Sequence, residues 1–314
     1  MIRRRRGAAV ADFTVALIDG PWKHRFVSAG GLRFHVAAAG PPDGPAVMLL
    51  HGVPQHWWAM RHLLTRLAEA GYAAYAMDLR GTGASDKPPE GYALPLLAQD
   101  VAGVIGALGH GEAVVVGHGF GGQVAWTMAT RAPRTLNGIV PICSVHPGSL
   151  VPRRRWLTSP RALVQMGTLR SAPAARRLLT DEAFMGALFA TWTQNPEAVG
   201  PEAVRRYTEA MRIPFAADKI ARMAHWSTRS LVDAGHARFV ASAREPAAAP
   251  VLQIQTDSDP MVRWTVTPVP HLGGPDYTFE LLHNVGHLAP EEAPEAIGRL
   301  ILRWLAARGI TPVT

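Results

Sequence analysis

The sequence predicts an α/β protein: a mostly parallel β-sheet flanked by helices, with a helical segment inserted after the sixth strand. Three observations carry that prediction. Short apolar runs alternate with segments of helical period through the first half of the chain. From about 147 to 246 the β-branched runs vanish and amphipathic helical stretches take over. Strand signals then return at 250–255 and 277–282. This rhythm is that of successive strand–helix–strand units, whose crossover helices cover a sheet on both faces.

Residues 32–39 (LRFHVAAA) and 46–50 (AVMLL) read as strands, the second a continuous apolar run of the kind buried strands show. Residues 58–70 have helical spacing and stop at Gly71. Residues 73–79 read as a strand. Over 95–108, Leu97, Val101, Val104, Ile105 and Leu108 share one helical face. Residues 113–117 (AVVVG) are a buried strand leading into a helix from Gly121 to about Thr130, and 138–145 form another strand. Within the insertion, 174–190 and 202–212 are helical, punctuated by Pro173, Pro196, Pro201 and Pro214. A last helix over about 291–307 buries Ile297, Leu300, Ile301, Trp304 and Leu305. The core is therefore expected over 1–146 and 247–314, the helical cap over 147–246, and a flexible basic start over 1–20.

The chain has 314 residues, 48% of them hydrophobic and 18% charged, enough to bury a sizeable core. Its single cysteine, Cys143, excludes an internal disulfide framework and fits a reducing, cytoplasmic setting. No apolar run reaches the roughly 18 residues of a membrane span. The net charge of +8 is concentrated between Gly148 and Glu245, which hold 15 basic and 8 acidic residues. We read that excess as a solvated, arginine-rich helical face, since no nucleic-acid-binding pattern accompanies it. The opening MIRRRRGAAVADFTVALIDG superficially resembles a signal peptide, but Asp12 breaks its apolar stretch.

Ligands of open α/β sheets sit at the carboxyl ends of the strands. Four such ends here carry chemistry-bearing sequence: His51-Gly52-Val53-Pro54; Asp78 to Asp86 (DLRGTGASD); Gly117 to Gly122 (GHGFGG); and the pair Asp257-Ser258-Asp259-Pro260 and Asn284-Val285-Gly286-His287. Together, in this order, they resemble the α/β-hydrolase fold. Within it, the chain is similar to the epoxide-hydrolase-type proteins of actinobacteria. The resemblance runs from IDGPWKHRFVSAGGLRFHVAAAG through HGVPQHWWAMRHLLTRLAEAGY, MDLRGTGASDKPPEGY and VVVGHGFGG to DSDP and GHLAPEEAPEAIGRLILRWL. HGxP, rather than HGG, points to the epoxide hydrolase and dehalogenase side, and the insertion falls where that family carries its cap.

One position departs from the family. In the strand-to-helix elbow Gly-x-Nuc-x-Gly, the nucleophile position is Gly119, where the resemblance implies Asp or Ser. Glycine has no side chain, so covalent catalysis from the elbow is excluded. Cys143 and Ser144, at the end of the next strand, are the nearby alternatives. The resemblance further implies His287 as general base, Asp259 as its partner with Asp257 as an alternative acid, and the Val53 and Phe120 amides as an oxyanion hole. The family's acid for epoxide opening is a cap tyrosine. The matching stretch reads Met223-Ala224-His225-Trp226, so that tyrosine is missing, and the cap's one tyrosine, Tyr207, reads as a packing residue. His51, Trp57, Trp58, His118, Trp192, Tyr207 and Trp226 are expected around an apolar pocket between core and cap. His51 is expected to brace the oxyanion loop, and Asp78 and Arg80 to pin the loop that follows them.

Two readings stand at this stage. One is a hydrolase-fold catalyst in which His287 and Asp259 activate water or abstract a proton. The other is a catalytically inactive relative that binds an apolar ligand or partner. No metal and no cofactor are expected, because the chain has no HExxH, no cysteine cluster and no P-loop. The expected partner is a small apolar molecule, with a homodimer left open; neither nucleic acid nor stable membrane insertion is expected.

Overall fold

The computed structural model describes residues 11–149, 160–227 and 234–312. Among them, eight strands form one sheet: β1 (Lys23–Ala29), β2 (Leu32–Ala39), β3 (Ala46–Leu50), β4 (Ala73–Met77), β5 (Ala113–His118), β6 (Leu136–Ile142), β7 (Val251–Thr256) and β8 (Tyr277–Leu282). Their order across the sheet is β1-β2-β4-β3-β5-β6-β7-β8. The first two ladders are antiparallel and the rest parallel. The chain steps from β3 outward to β4, then returns to place β5 on the other side of β3. In open α/β sheets ligands bind at such a reversal, which here falls beyond the carboxyl ends of β3 and β5.

The helices are α1 (Arg61–Glu69), α2 (Leu94–Ala107), α3 (Phe120–Arg131), α4 (Pro160–Leu169), α5 (Ala172–Leu178), α6 (Glu182–Trp192), α7 (Pro201–Met211), α8 (Ala216–Ser227), α9 (Ala234–Ser242), α10 (Pro270–Gly273), α11 (Ala289–Glu292) and α12 (Pro294–Ala306). Strand alternation divides the core. Met48, Leu50 and Val115 face Leu97, Val101, Val124 and Ala125 of α2 and α3. Val47, Leu49, Val114 and Val116 face Leu63, Leu64, Ile297 and Ile301 of α1 and α12. Central strands therefore read as unbroken apolar runs because both faces are covered. Helices α4 to α9 lie between β6 and β7 in the chain, where the helical insertion was expected. No described helix is long and apolar enough to cross a membrane.

Several boundaries differ from the sequence reading. The stretch 58–70 begins as a tight turn over Trp57–Met60 and becomes helical at Arg61. The strand expected at 138–145 runs over Leu136–Ile142 and ends where Cys143 takes φ +48°. The helical stretch 174–190 splits at Asp181, whose carboxylate accepts Phe184 N–H and caps α6. The final helix breaks before Pro294, which cannot continue a hydrogen-bonded turn. Strand β1 lacked a usable signal because it is a half-exposed edge strand.

Residues 11–20 are not a flexible start. Asp12 caps a short turn over Phe13–Ala16, Ala16 is fully buried, and its carbonyl accepts Trp57 Nε1–H at 2.7 Å. Apolar side chains in FTVALI gain more from packing than the segment loses in conformational freedom. Residues 1–10 of that expected start lie outside the described residues.

A buried polar cluster joins the insertion to the core. Tyr207 of α7 is fully buried and donates its hydroxyl to Glu291 Oε1 of α11. Arg61, at the start of α1, donates from Nη1 to Glu291 Oε1 at 3.0 Å and pairs with Oε2 through Nη2 at 2.8 Å. The Arg61 guanidinium also lies 3.6 Å from the centre of the Trp58 ring. Removing the phenol leaves a buried carboxylate short of a donor. We therefore expect Tyr207→Phe to cost about 1–3 kcal/mol in denaturant unfolding, with little change in secondary structure.

Candidate active site

The end of β5 turns sharply into α3. At the tip, Gly119 has φ +51° and ψ −109°, a conformation that L side chains rarely adopt. Two residues on, a β-carbon at Gly121 would lie 2.5 Å from Leu50 O, so only glycine allows this close approach of helix and strand. A β-carbon at Gly119 would meet no such obstacle. It would sit 3.4 Å from His287 Nε2 and 3.9 Å from Gly52 Cα. The elbow tip thus faces the histidine.

His287 follows β8 and is 8% exposed. Its Nδ1 lies 2.8 Å from Asp259 Oδ2. The other carboxylate oxygen of Asp259 accepts Met261 N–H at 2.7 Å and Val262 N–H at 2.9 Å. A carboxylate filled in this way holds the imidazole with its proton on Nδ1, leaving Nε2 as the atom turned toward Gly119. Asp257 is not part of this arrangement. It accepts Asn284 N–H at 2.9 Å and sits 2.9 Å from His283 Nδ1, closing a surface turn.

The loop bearing His287 is braced from two sides. His118 donates from Nε2 to His287 O at 2.7 Å, and burial pushes the His118 ring down to about 3. His287 N–H donates to Trp192 O at 2.7 Å, and the Trp192 ring stands edge-on to the imidazole, 5.6 Å between centres. Glu292 Oε2 accepts Gly286 N–H at 3.2 Å, Gln194 N–H at 2.8 Å and Asn195 N–H at 3.1 Å. One carboxylate therefore ties the histidine loop to the end of α6.

Among the described residues, neither the Val53 nor the Phe120 amide has a protein acceptor. Phe120 is the first residue of α3, so its N–H is one of the helix's unspent donors. His51 sits below this loop: Nδ1 lies 2.8 Å from Gly52 O, and Nε2 accepts Leu79 N–H at 3.3 Å. Asp78 accepts Trp57 N–H and Ala84 N–H at 2.9 Å each, and Arg80 pairs with Asp100.

The expected pocket residues do not all reach the dyad. Trp192 does, and Phe120 lies at the elbow. His118 is 2% exposed and supports the dyad from below rather than lining a pocket. Trp57 is fully buried among Trp22, His24, His35 and His56, so it is a core residue. Trp58 is half-buried and packs between Arg61 and Tyr207. The Tyr207 hydroxyl is spent on Glu291. Trp226 packs on His236 and Phe239 inside the insertion, with ring centres 5.2 and 4.9 Å away. Sequence reasoning passed over Glu291, Glu292 and Arg61. The two glutamates stand four and five residues after His287, where a helix start favours acidic side chains, and that was the available signal.

His118, Cys143 and His287 bring donor atoms within 4.8 Å of one another. The set does not fit a resident metal ion. Burial, reinforced by the Asp259 charge, pushes the Cys143 thiol well up, away from the thiolate a metal needs. His287 Nδ1 and His118 Nε2 are already engaged. The same burial leaves Cys143 a poor nucleophile. Ser144 is 2% exposed and packs against Gly122, at the back of α3.

Comparisons with known proteins agree with this architecture. A family model for the alpha/beta hydrolase fold matches residues 45–294. The AB hydrolase superfamily protein YfhM of Bacillus subtilis is 34% identical over 212 residues, covering 65% of this chain and 72% of that one. Epoxide hydrolase B of Mycobacterium tuberculosis is 44% identical over 123 residues, which is 38% of this chain and 35% of the relative. That match thus spans about a third of the relative's length. Among solved structures, epoxide hydrolase CorEH superposes with a TM-score of 0.77 at 22% identity, covering 91% of this chain and 99% of that one. Haloalkane dehalogenase DatA of Agrobacterium tumefaciens superposes with a TM-score of 0.75 at 23% identity, covering 93% and 98%. With an elbow after the fifth strand, a histidine after the eighth and an intervening family match over most of its length, the chain belongs to the α/β-hydrolase family and resembles its epoxide hydrolases.

Proposed function

We propose that the chain is an epoxide-hydrolase-related enzyme in which His287, steadied by Asp259, activates water directly on a small apolar molecule held between the core and the helical cap. One observation carries the reading: His287 Nε2 is the free end of a buried dyad and lies 3.4 Å from where a side chain at residue 119 would begin. Water in that space would give its proton to Nε2 while its oxygen bonds to an electrophilic carbon, and Asp259 would stabilise the imidazolium. With an ester, the Val53 and Phe120 N–H groups would receive the developing oxyanion. The tetrahedral species would then expel its alkoxide, which regains the proton from His287. An epoxide would need a separate acid for its leaving oxygen. The Tyr207 hydroxyl is committed to Glu291, so acyl substrates are favoured over epoxides.

A panel of short-chain esters and epoxides tests this with wild-type protein and His287→Ala in water enriched in oxygen-18. We expect solvent label in the first turnover and no covalent intermediate. We expect His287→Ala to lower kcat/KM by about a hundredfold, the usual scale of a general base. A mass adduct on Cys143 or Ser144 would overturn the mechanism. A second reading, a binding protein without turnover, is favoured by the glycine at the elbow tip and by the engaged Tyr207. Specific binding of panel members with no hydrolysis in either protein would establish it.

A further inference from the structure

We propose that the surface formed by Phe13, Phe26, Arg33 and Phe215, together with the arginines at positions 3–6, docks reversibly on an anionic lipid bilayer. The proposal concerns a second surface and stands apart from the catalytic reading above.

Five large apolar side chains are exposed among the described residues, and three of them adjoin one another. Phe13 and Phe26 meet edge to face, 6.2 Å between ring centres. Phe13 also lines a surface hollow with Ala11, Ile213 and Pro214, and Phe215 follows directly. A cluster of exposed aromatic rings marks a contact surface more often than isolated ones do. Phe215 is the most telling of the three. It is 65% exposed and has φ +68°, a left-handed conformation that bulky side chains rarely adopt. Glycine or asparagine would make that turn with less strain and without an exposed ring. An apolar phase would take up the ring that water solvates poorly.

Charge decides what covers this face. Arg33 is exposed, and its guanidinium lies 4.7 Å from the Phe26 ring centre and 5.7 Å from that of Phe13. Beside Phe215, Lys219 Nζ lies 5.8 Å from the ring centre, and Asp218 is paired with Arg176. The arginines at 3–6 stand five to eight residues before Ala11, whose N–H donates to Arg212 O next to the hollow. At about 3.5 Å per residue, that run lies within about 28 Å of the patch. The patch and the chain start thus carry five arginines against Asp12 and Asp86, each of which accepts a backbone N–H. A second copy docked through the same face would bring these cations against their own copies, which disfavours a dimer. Anionic headgroups attract them instead, while the rings enter the apolar boundary below.

The test is co-sedimentation of the full chain with vesicles of phosphatidylcholine, with and without phosphatidylglycerol. We expect binding only to the anionic vesicles, and its loss as salt shortens the screening length from about 10 Å at 0.1 M to about 3 Å at 1 M. Replacing the four arginines at 3–6 by glutamine should weaken binding by about a hundredfold or more, since each is worth about fivefold near a charged bilayer. Phe215→Asn should weaken it by about tenfold while leaving the thermal midpoint unchanged or raised, because asparagine accepts the left-handed turn. Phe26→Thr on β1 gives a second, independent loss should that variant not fold. Arg303→Gln serves as the control, because Arg303 pairs with Glu280 of β8 at the opposite edge of the sheet, and its binding should match wild type. Equal sedimentation with phosphatidylcholine alone, none with the anionic vesicles, or full binding by both phenylalanine variants would overturn the proposal. A lipid-free dimer that Phe215→Asn dissolves would assign the face to a second copy instead. Binding to soluble polyglutamate as tight as to the vesicles would assign it to an acidic polypeptide.

Discussion

Gly119→Asp should be alkylated stoichiometrically by a small bromoalkane that leaves the wild-type protein unlabelled. The new β-carbon would lie 3.4 Å from His287 Nε2 and 3.9 Å from Gly52 Cα, setting the carboxylate beside the histidine. An aspartate oxygen would bond to carbon as the carbon–bromine bond breaks, and bromide would leave without needing a proton. That last point selects the reagent. An epoxide's leaving oxygen needs an acid, and Tyr207 is held by Glu291, so epoxides should label the variant far more slowly. Mass spectrometry of the peptide spanning residue 119 reads the ester directly. The substitution also forces a side chain into φ +51°, which should cost about 1–3 kcal/mol in denaturant unfolding. A folded variant that takes no label would show that the tip does not open onto a cavity.

Acid should unfold the protein early. His56, His118 and His146 are buried, and burial pulls each from the ordinary 6.5 down to about 3. Below pH 6.5 the unfolded chain binds three protons that the native state refuses. Stability is therefore full above 6.5 and is lost as pH falls through the window from 6.5 to 3. Each group is worth about 1.4 kcal/mol per pH unit in that window, so the three together should remove about 4 kcal/mol between pH 7.5 and 5.5. Burial alone would raise the Asp78 carboxyl. The hydrogen bond and charge of His35 outweigh it and hold the group well below its ordinary 3.8, adding a loss of the same sign at lower pH. Denaturant midpoints measured at half-unit pH intervals provide the check. His146→Gln should remove about a third of the slope between pH 6.5 and 5.5, since one of the three buried rings is gone. A flat profile down to pH 5.5 would show that these rings take up protons without unfolding.

The parts of the fold that sequence disclosed are those where burial imposes a repeating pattern. Strands β3 and β5 announced themselves because both faces are covered and every residue but His118, at the end of β5, is apolar. The elbow and the His287–Asp259 pair were legible because their residue types sit at strand ends, where the sheet brings distant segments together. Strand β1 was missed because an edge strand alternates weakly. The roles of Trp57 and Trp226 were misjudged for another reason. A tryptophan looks the same in sequence whether it lines a pocket or fills a core, and only the Trp57 Nε1–H bond to Ala16 O and the Trp226 packing on Phe239 decide. The buried Tyr207–Glu291–Arg61 cluster joins residues far apart in the chain, and no local spacing reports such a meeting.

The hydrogen bonds between the histidine loop and residues 192–195 have a mechanical consequence. His287 gives its own amide proton to Trp192, and Glu292 clamps Gly286 together with Gln194 and Asn195. If the helical segment swings at this point, the base swings with it. In the proposed mechanism, a displacement of the end of α6 would therefore pull the imidazole out of line with residue 119 unless these hydrogen bonds broke first.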